Sequence, residues 1–115
     1  MISFTLPWPA KALHSNARAH WAAKHRATAA ARQYAKVVAK GAKVGCWPNA
    51  TIQISYYPPS RRGDPSNLPI ACKAYIDGIA DAMGDGCDDR HFKVDFPREF
   101  AGTKKGGELI FRVTE

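Results

Sequence analysis

Hydrophobic and polar residues alternate in four short stretches of this chain, and two longer stretches carry apolar residues at helical spacing. Over 2–6, Ile2, Phe4 and Leu6 alternate with Ser3 and Thr5, which predicts a strand with one buried face. Pro7 and Pro9 close it, and 10–17 reads as loop. The alanine-rich, proline-free run 19–43 predicts a long helix. Its inward stripe is expected to be Trp21, Thr28, Ala31, Ala35 and Val38, with Gly41 and Gly45 punctuating its end. Ile52, Ile54 and Tyr56 alternate through 51–57, a second strand, and Pro58 to Gly63 is a rigid basic loop. A second helix is expected over 67–83, burying Leu68, Cys72, Tyr75, Ile76, Ile79 and Met83, with Gly84-Asp85-Gly86 ending it. Phe92, Val94 and Phe96 predict a third strand over 92–96. Lys104-Lys105-Gly106-Gly107 predicts a turn, and Leu109, Phe111 and Val113 a fourth strand. The order β-α-β-α-β-β implies a small α+β fold, a mixed four-stranded sheet with two main helices.

At 115 residues the chain is expected to form a single domain, 1–115, with a modest core. The three cysteines, Cys46, Cys72 and Cys87, include no CxxC pair and suit separate thiols in a reducing compartment. The N-terminus lacks the charged region of a signal peptide, and no stretch approaches a membrane span. The expected location is cytoplasmic, without a membrane partner.

Charge is distributed unevenly. The first 63 residues hold ten Lys and Arg and no acid, and Asp64, Asp77, Asp81, Asp85, Asp88 and Asp89 then fall within 26 residues. A basic half, in a chain of net charge +7, attracts a polyanion such as nucleic acid. Carboxylates held against a polyanion repel it unless a divalent metal bridges the two. The charge map therefore suggests a metal-dependent nuclease.

Each acidic site also has an ordinary structural account. Asp64 precedes Pro65 at a helix start, where Asp commonly caps and Pro takes the first helical position. Asp88-Asp89 follows a glycine turn and suits a solvated loop. Lys73 and Asp77 stand at i, i+4 and can form a surface ion pair. Alternatively Lys73, two and a half turns beyond Asp64, faces the same pocket and touches a phosphate. Asp81 and Asp85 read as solvated.

Taken in order, these residues resemble the RusA family of Holliday-junction resolvases. That family has a strand, a basic loop, Asp-x-Asp-Asn-Leu, then Lys and Asp on the next helix, then Asp-Asp after a turn. The corresponding positions here are Asp64-Pro65-Ser66-Asn67-Leu68, then Lys73 and Asp77, then Asp88-Asp89. Leu6-Pro7-Trp8-Pro9, the stretch from Asn16 to Trp21 and the Lys-Lys-Gly-Gly turn are similar as well, so the resemblance covers nearly the whole chain. It implies a homodimer that binds branched DNA, the four-way junction, and hydrolyses it with Mg²⁺ or Mn²⁺. It also implies metal-binding aspartates at Asp64 and Asp89, with Lys73 assisting. The family's third aspartate corresponds to Ser66, a neutral and far weaker ligand for a hard cation. Asp88 is a neighbour that can supplement the site. DNA arms are expected on Arg18, Lys24, Arg32, Lys36, Arg61 and Arg62, through phosphate contacts that position without reading sequence. Because of Ser66, a catalytically weak or silent DNA-binding member of the same fold is the alternative. A basic adaptor for an acidic protein is a third.

Overall fold

The computed structural model describes residues 1–14, 20–61, 63, 65–84 and 86–115. Four strands and two helices follow one another as β1 (Ile2–Pro7), α1 (Trp21–Gly41), β2 (Thr51–Tyr57), α2 (Leu68–Met83), β3 (Lys93–Asp95) and β4 (Glu108–Thr114). Short 3-10 turns occupy Lys11–Leu13, Pro65–Asn67 and Asp89–His91. The strands form one sheet in the order β1-β4-β2-β3. β4 is antiparallel to both β1 and β2, and β2 pairs with β3 in parallel. The expected α+β architecture with a mixed four-stranded sheet is the one observed.

The period-two pattern places the core. Phe4 and Leu6 of β1, Ile52, Ile54 and Tyr56 of β2, and Leu109, Phe111 and Val113 of β4 are all buried on one face of the sheet. Helix α2 covers that face with Leu68, Cys72, Tyr75, Ile76, Ile79 and Met83, the six positions its spacing predicts. Tyr75 meets Phe111 edge-on at 6.1 Å between ring centroids, and its hydroxyl donates to the Pro7 carbonyl at 2.8 Å. That hydrogen bond fixes α2 along the sheet at the end of β1.

Helix α1 keeps the expected stripe at Ala31, Ala35 and Val38 and departs from it at Trp21 and Thr28. Trp21 is 75% exposed and Thr28 is exposed; the buried positions are Ala35 and Ala39, with Ala27, Ala31, Val38 and Ala42 half-buried beside them. Helix α2 comes close to α1 beside Ala35. A Cβ on Gly78 would lie 2.2 Å from the Arg32 carbonyl oxygen and 2.8 Å from the Ala35 Cβ. Only small side chains fit between helices at that distance, and Ala35 meets that requirement. Thr28 instead donates its hydroxyl to the Lys24 carbonyl at 2.8 Å. His20 caps the helix by accepting the Ala22 amide on Nδ1 at 3.2 Å.

The third strand is shorter than 92–96. The Phe92 amide donates to the Asp89 carbonyl at 3.1 Å, closing the 3-10 turn, and Pro97 lacks an N–H to extend the ladder. Phe92 is nonetheless buried and Phe96 packs against the core.

Candidate functional site

The parallel arrangement of β2 and β3 determines where the acidic residues go. Helix α2 must carry the chain between the two strands, so the turn that enters β3 lies against the flank of α2. Lys73, in the second turn of α2, donates to Asp77 Oδ1 at 2.8 Å and also to Asp89 Oδ2. Its ammonium therefore joins the helix to the Asp89–His91 turn. Partial burial pulls the Lys73 pKa down, but the hydrogen bonds to Asp77 and Asp89 outweigh it and hold the group above its ordinary value. Lys73 is thus a permanent cation and hydrogen-bond donor, unsuited to act as a base. The structure brings together Lys73, Asp77 and Asp89, three of the residues the sequence singled out.

Asp88 has a different role. Its carboxylate accepts the Arg90 amide at 2.9 Å, capping the 3-10 turn, and accepts Arg90 Nε at 3.0 Å. The backbone hydrogen bond first, then the guanidinium, lowers its pKa to about 2. Asp88 therefore shapes the turn that presents Asp89. Ser66 is exposed in the 3-10 turn Pro65–Asn67, which leads into α2 through Asn67 at its N-cap. The expected ligand Asp64 lies outside the described residues, as do Arg18, Arg62 and Asp85.

A divalent cation can be tested against these groups. Asp77 and Asp89 converge on one positive centre, the Lys73 ammonium, and both present anionic oxygen, the donor type that Mg²⁺ and Mn²⁺ prefer. In chemistry the donors fit a hard cation. Among the described residues, no three His, Cys, Asp or Glu side chains form a group close enough to hold an ion.

The expected DNA surface divides. Lys24 and Arg61 are exposed. Arg32 instead faces Asp81, donating from Nε to Oδ2 at 2.6 Å and from Nη2 to Oδ1 at 2.9 Å. This two-pronged pair lowers the Asp81 pKa and raises that of Arg32, chiefly through the side-chain hydrogen bond. Asp81, expected in solvent, is an interhelical partner, and Lys36 is half-buried and near enough to lower the Asp81 pKa further. The 49-residue separation of Arg32 and Asp81 gave no local signal of the pair. The Asp88–Arg90 cap was more accessible, because Asp commonly accepts an amide two residues on.

No protein-family model matches this chain. A protein of Xylella fastidiosa (strain Temecula1), described as an uncharacterized protein, is 39% identical over 120 aligned positions, covering 99% of this chain and 76% of the relative. The chain belongs to the same family as that protein.

Proposed function

We propose that this protein is a structure-selective, metal-dependent endodeoxyribonuclease that binds four-way DNA junctions and cuts them by phosphodiester hydrolysis, as members of the RusA family do. The observation that carries the reading is the convergence of Lys73 and Asp89. They come from separate segments and occupy two positions where the resemblance expects site residues.

In this reading Asp89 and Asp64 hold Mg²⁺ or Mn²⁺, with Ser66 and Asp88 at the margin. The chemistry such an ion supplies is Lewis acidity and a bound water of lowered pKa. Lys73, kept charged by its two carboxylates, offers its ammonium to the charge that develops on the phosphoryl oxygens. Asp77 orients that ammonium. Lys24 and Arg61, with Arg18 and Arg62, hold the DNA arms through phosphates, and Lys36 contributes to the same field. A junction presents two strands for symmetric cutting, so a two-fold homodimer with one site in each protomer suits it. Its location is the cytoplasm, in a cell where branched DNA is processed.

A second reading is favoured by Ser66 and Asp88. Ser66 replaces a carboxylate, and the Asp88 carboxylate is already engaged by Arg90. A junction-binding protein with weak or absent hydrolysis follows if no other ligand completes the site. One experiment separates these readings: a labelled four-way junction and a linear duplex of the same length, each with the protein and Mg²⁺ or with EDTA. Selective, Mg²⁺-dependent cutting of the junction is expected. Selective binding without cutting favours the silent member, and equal affinity for both substrates eliminates junction selectivity.

A further inference from the structure

Cys46 and Cys87 are 41 residues apart in sequence, yet their sulfurs are 3.1 Å apart. The segment 42–50 joins α1 to β2, and Cys87 follows the end of α2, immediately before Asp88 and Asp89. Both lie in connections, so a small approach disturbs no ladder of the sheet. The two connections are otherwise held. The Lys93 amide donates to the Ala50 carbonyl at 2.9 Å, and the Ala50 amide to the Trp47 carbonyl at 3.1 Å. Trp47 folds back so far that a Cβ on Gly45 would lie 2.7 Å from its Nε1. A disulfide needs its sulfurs at about 2.0 Å, so about 1 Å of movement closes the pair.

We infer that Cys46 and Cys87 are a site of reversible oxidation, whose closure links the connection entering β2 to the turn bearing Asp88 and Asp89. The inference goes beyond the nuclease reading and does not rest on it. Cys46 is exposed and Cys87 partly so, whereas Cys72 is wholly buried, so an oxidant reaches the pair and not the third thiol. With hydrogen peroxide as oxidant, the Cys46 sulfur attacks one peroxide oxygen. The O–O bond breaks, and the departing oxygen leaves as water, giving a sulfenic acid at Cys46. The Cys87 sulfur then attacks the Cys46 sulfur: the S–S bond forms, the S–O bond breaks, and the second water leaves. Two thiols lose two electrons and two protons, and one peroxide becomes two waters.

The test uses the intact, fully reduced chain treated with hydrogen peroxide, followed by thiol titration in denaturant and peptide mapping. Titratable thiols should fall from three to one. The chain should be lighter by two hydrogens, the linked peptides should contain Cys46 and Cys87, and dithiothreitol should restore all three thiols. Cys46→Ser and Cys87→Ser should each abolish the link, and Cys72→Ser should retain it. The linked form should melt at a higher temperature than the reduced form, because closing a long loop restricts the unfolded chain. Three thiols surviving, sulfinic acid at Cys46 without linkage, linkage between two chains, or a lower melting temperature would each overturn the inference.

Discussion

Lys73 donates to the carboxylate of Asp89, sixteen residues further along the chain, and so ties the flank of α2 to the turn that enters β3. Through Lys73 the contact brings Asp77 and Asp89, both from the acidic stretch of the chain, to one ammonium. It has a direct consequence for variants. Asp89→Asn removes an anionic oxygen and Lys73→Met removes the cation. Under the nuclease reading each should lower junction cleavage by roughly 10²- to 10³-fold, the cost of losing one preorganised electrostatic group. Junction affinity, measured by gel shift with Ca²⁺ in place of Mg²⁺, should fall far less.

Ser66→Asp should raise both Mn²⁺ affinity in calorimetric titration and the rate of junction cleavage, because a charged oxygen replaces a neutral hydroxyl in the turn before α2. Unchanged values for both would mean either that another group already completes the site or that the pocket is lost elsewhere.

Arg32 and Lys24 should behave differently although both were read as DNA contacts. Arg32 is engaged by Asp81, so Arg32→Ala should chiefly affect stability. A double-mutant cycle with Asp81→Asn should return a coupling of about 0.5 kcal/mol, discounted because the pair is partly exposed. Lys24→Ala should leave the melting temperature unchanged. It should reduce the salt dependence of DNA binding by about 0.9 in the logarithmic slope, the contribution of one phosphate contact.

Gly78→Ala should destabilise the protein by about 1–3 kcal/mol, because the added carbon would meet the Arg32 carbonyl and force the helices apart. Thermal unfolding followed by circular dichroism measures it. At Gly41, where a Cβ meets nothing within 4 Å, the same change should be tolerated.

The carboxylates at Asp81 and Asp88 both titrate below their ordinary values. For a depressed carboxylate the contribution to stability is present above the unfolded pKa, about 3.9, and disappears as pH falls through the folded pKa. For Asp88 that window runs from about 3.9 down to about 2. Acid titration followed by carboxyl NMR should therefore show Asp88 protonating below the ordinary range of an Asp carboxylate. Asp88→Asn should flatten the acid limb of the stability curve.

Much of the fold was legible because burial follows simple periods. The alternation in β1, β2 and β4 and the apolar face of α2 were readable, since each buries one face against one core. The stripe of α1 was readable at Ala31, Ala35 and Val38 but not at its start, where Trp21 and Thr28 are exposed. The small residues of its buried part answer the close approach of Gly78, whose nearest neighbours across the helix pair are the Arg32 carbonyl and Ala35. Among site residues, Lys73 and Asp77 were readable from helical spacing, and Asp89 only from ordered resemblance. The partners of Arg32 and of Cys46 were not readable, because spatial contact across 49 and 41 residues leaves no pattern in the chain.

The strand that follows Asp89 is joined to the sheet by only three paired positions, Thr51 with Lys93, Ile52 with Val94 and Gln53 with Asp95. A hydrogen-bonded unit so small, at the edge of the sheet, opens at a lower free energy than the global transition. The turn carrying Asp89 should therefore detach while β1, β4 and the helices stay folded. Amide hydrogen exchange should show Val94 and Asp95 exchanging well before Ile54, Phe111 and Ile79. Assembly of the candidate site is then a local folding event superimposed on a standing scaffold, and whatever secures β3, whether the Lys73 ammonium or a Cys46–Cys87 link, sets the fraction of molecules in which the site exists.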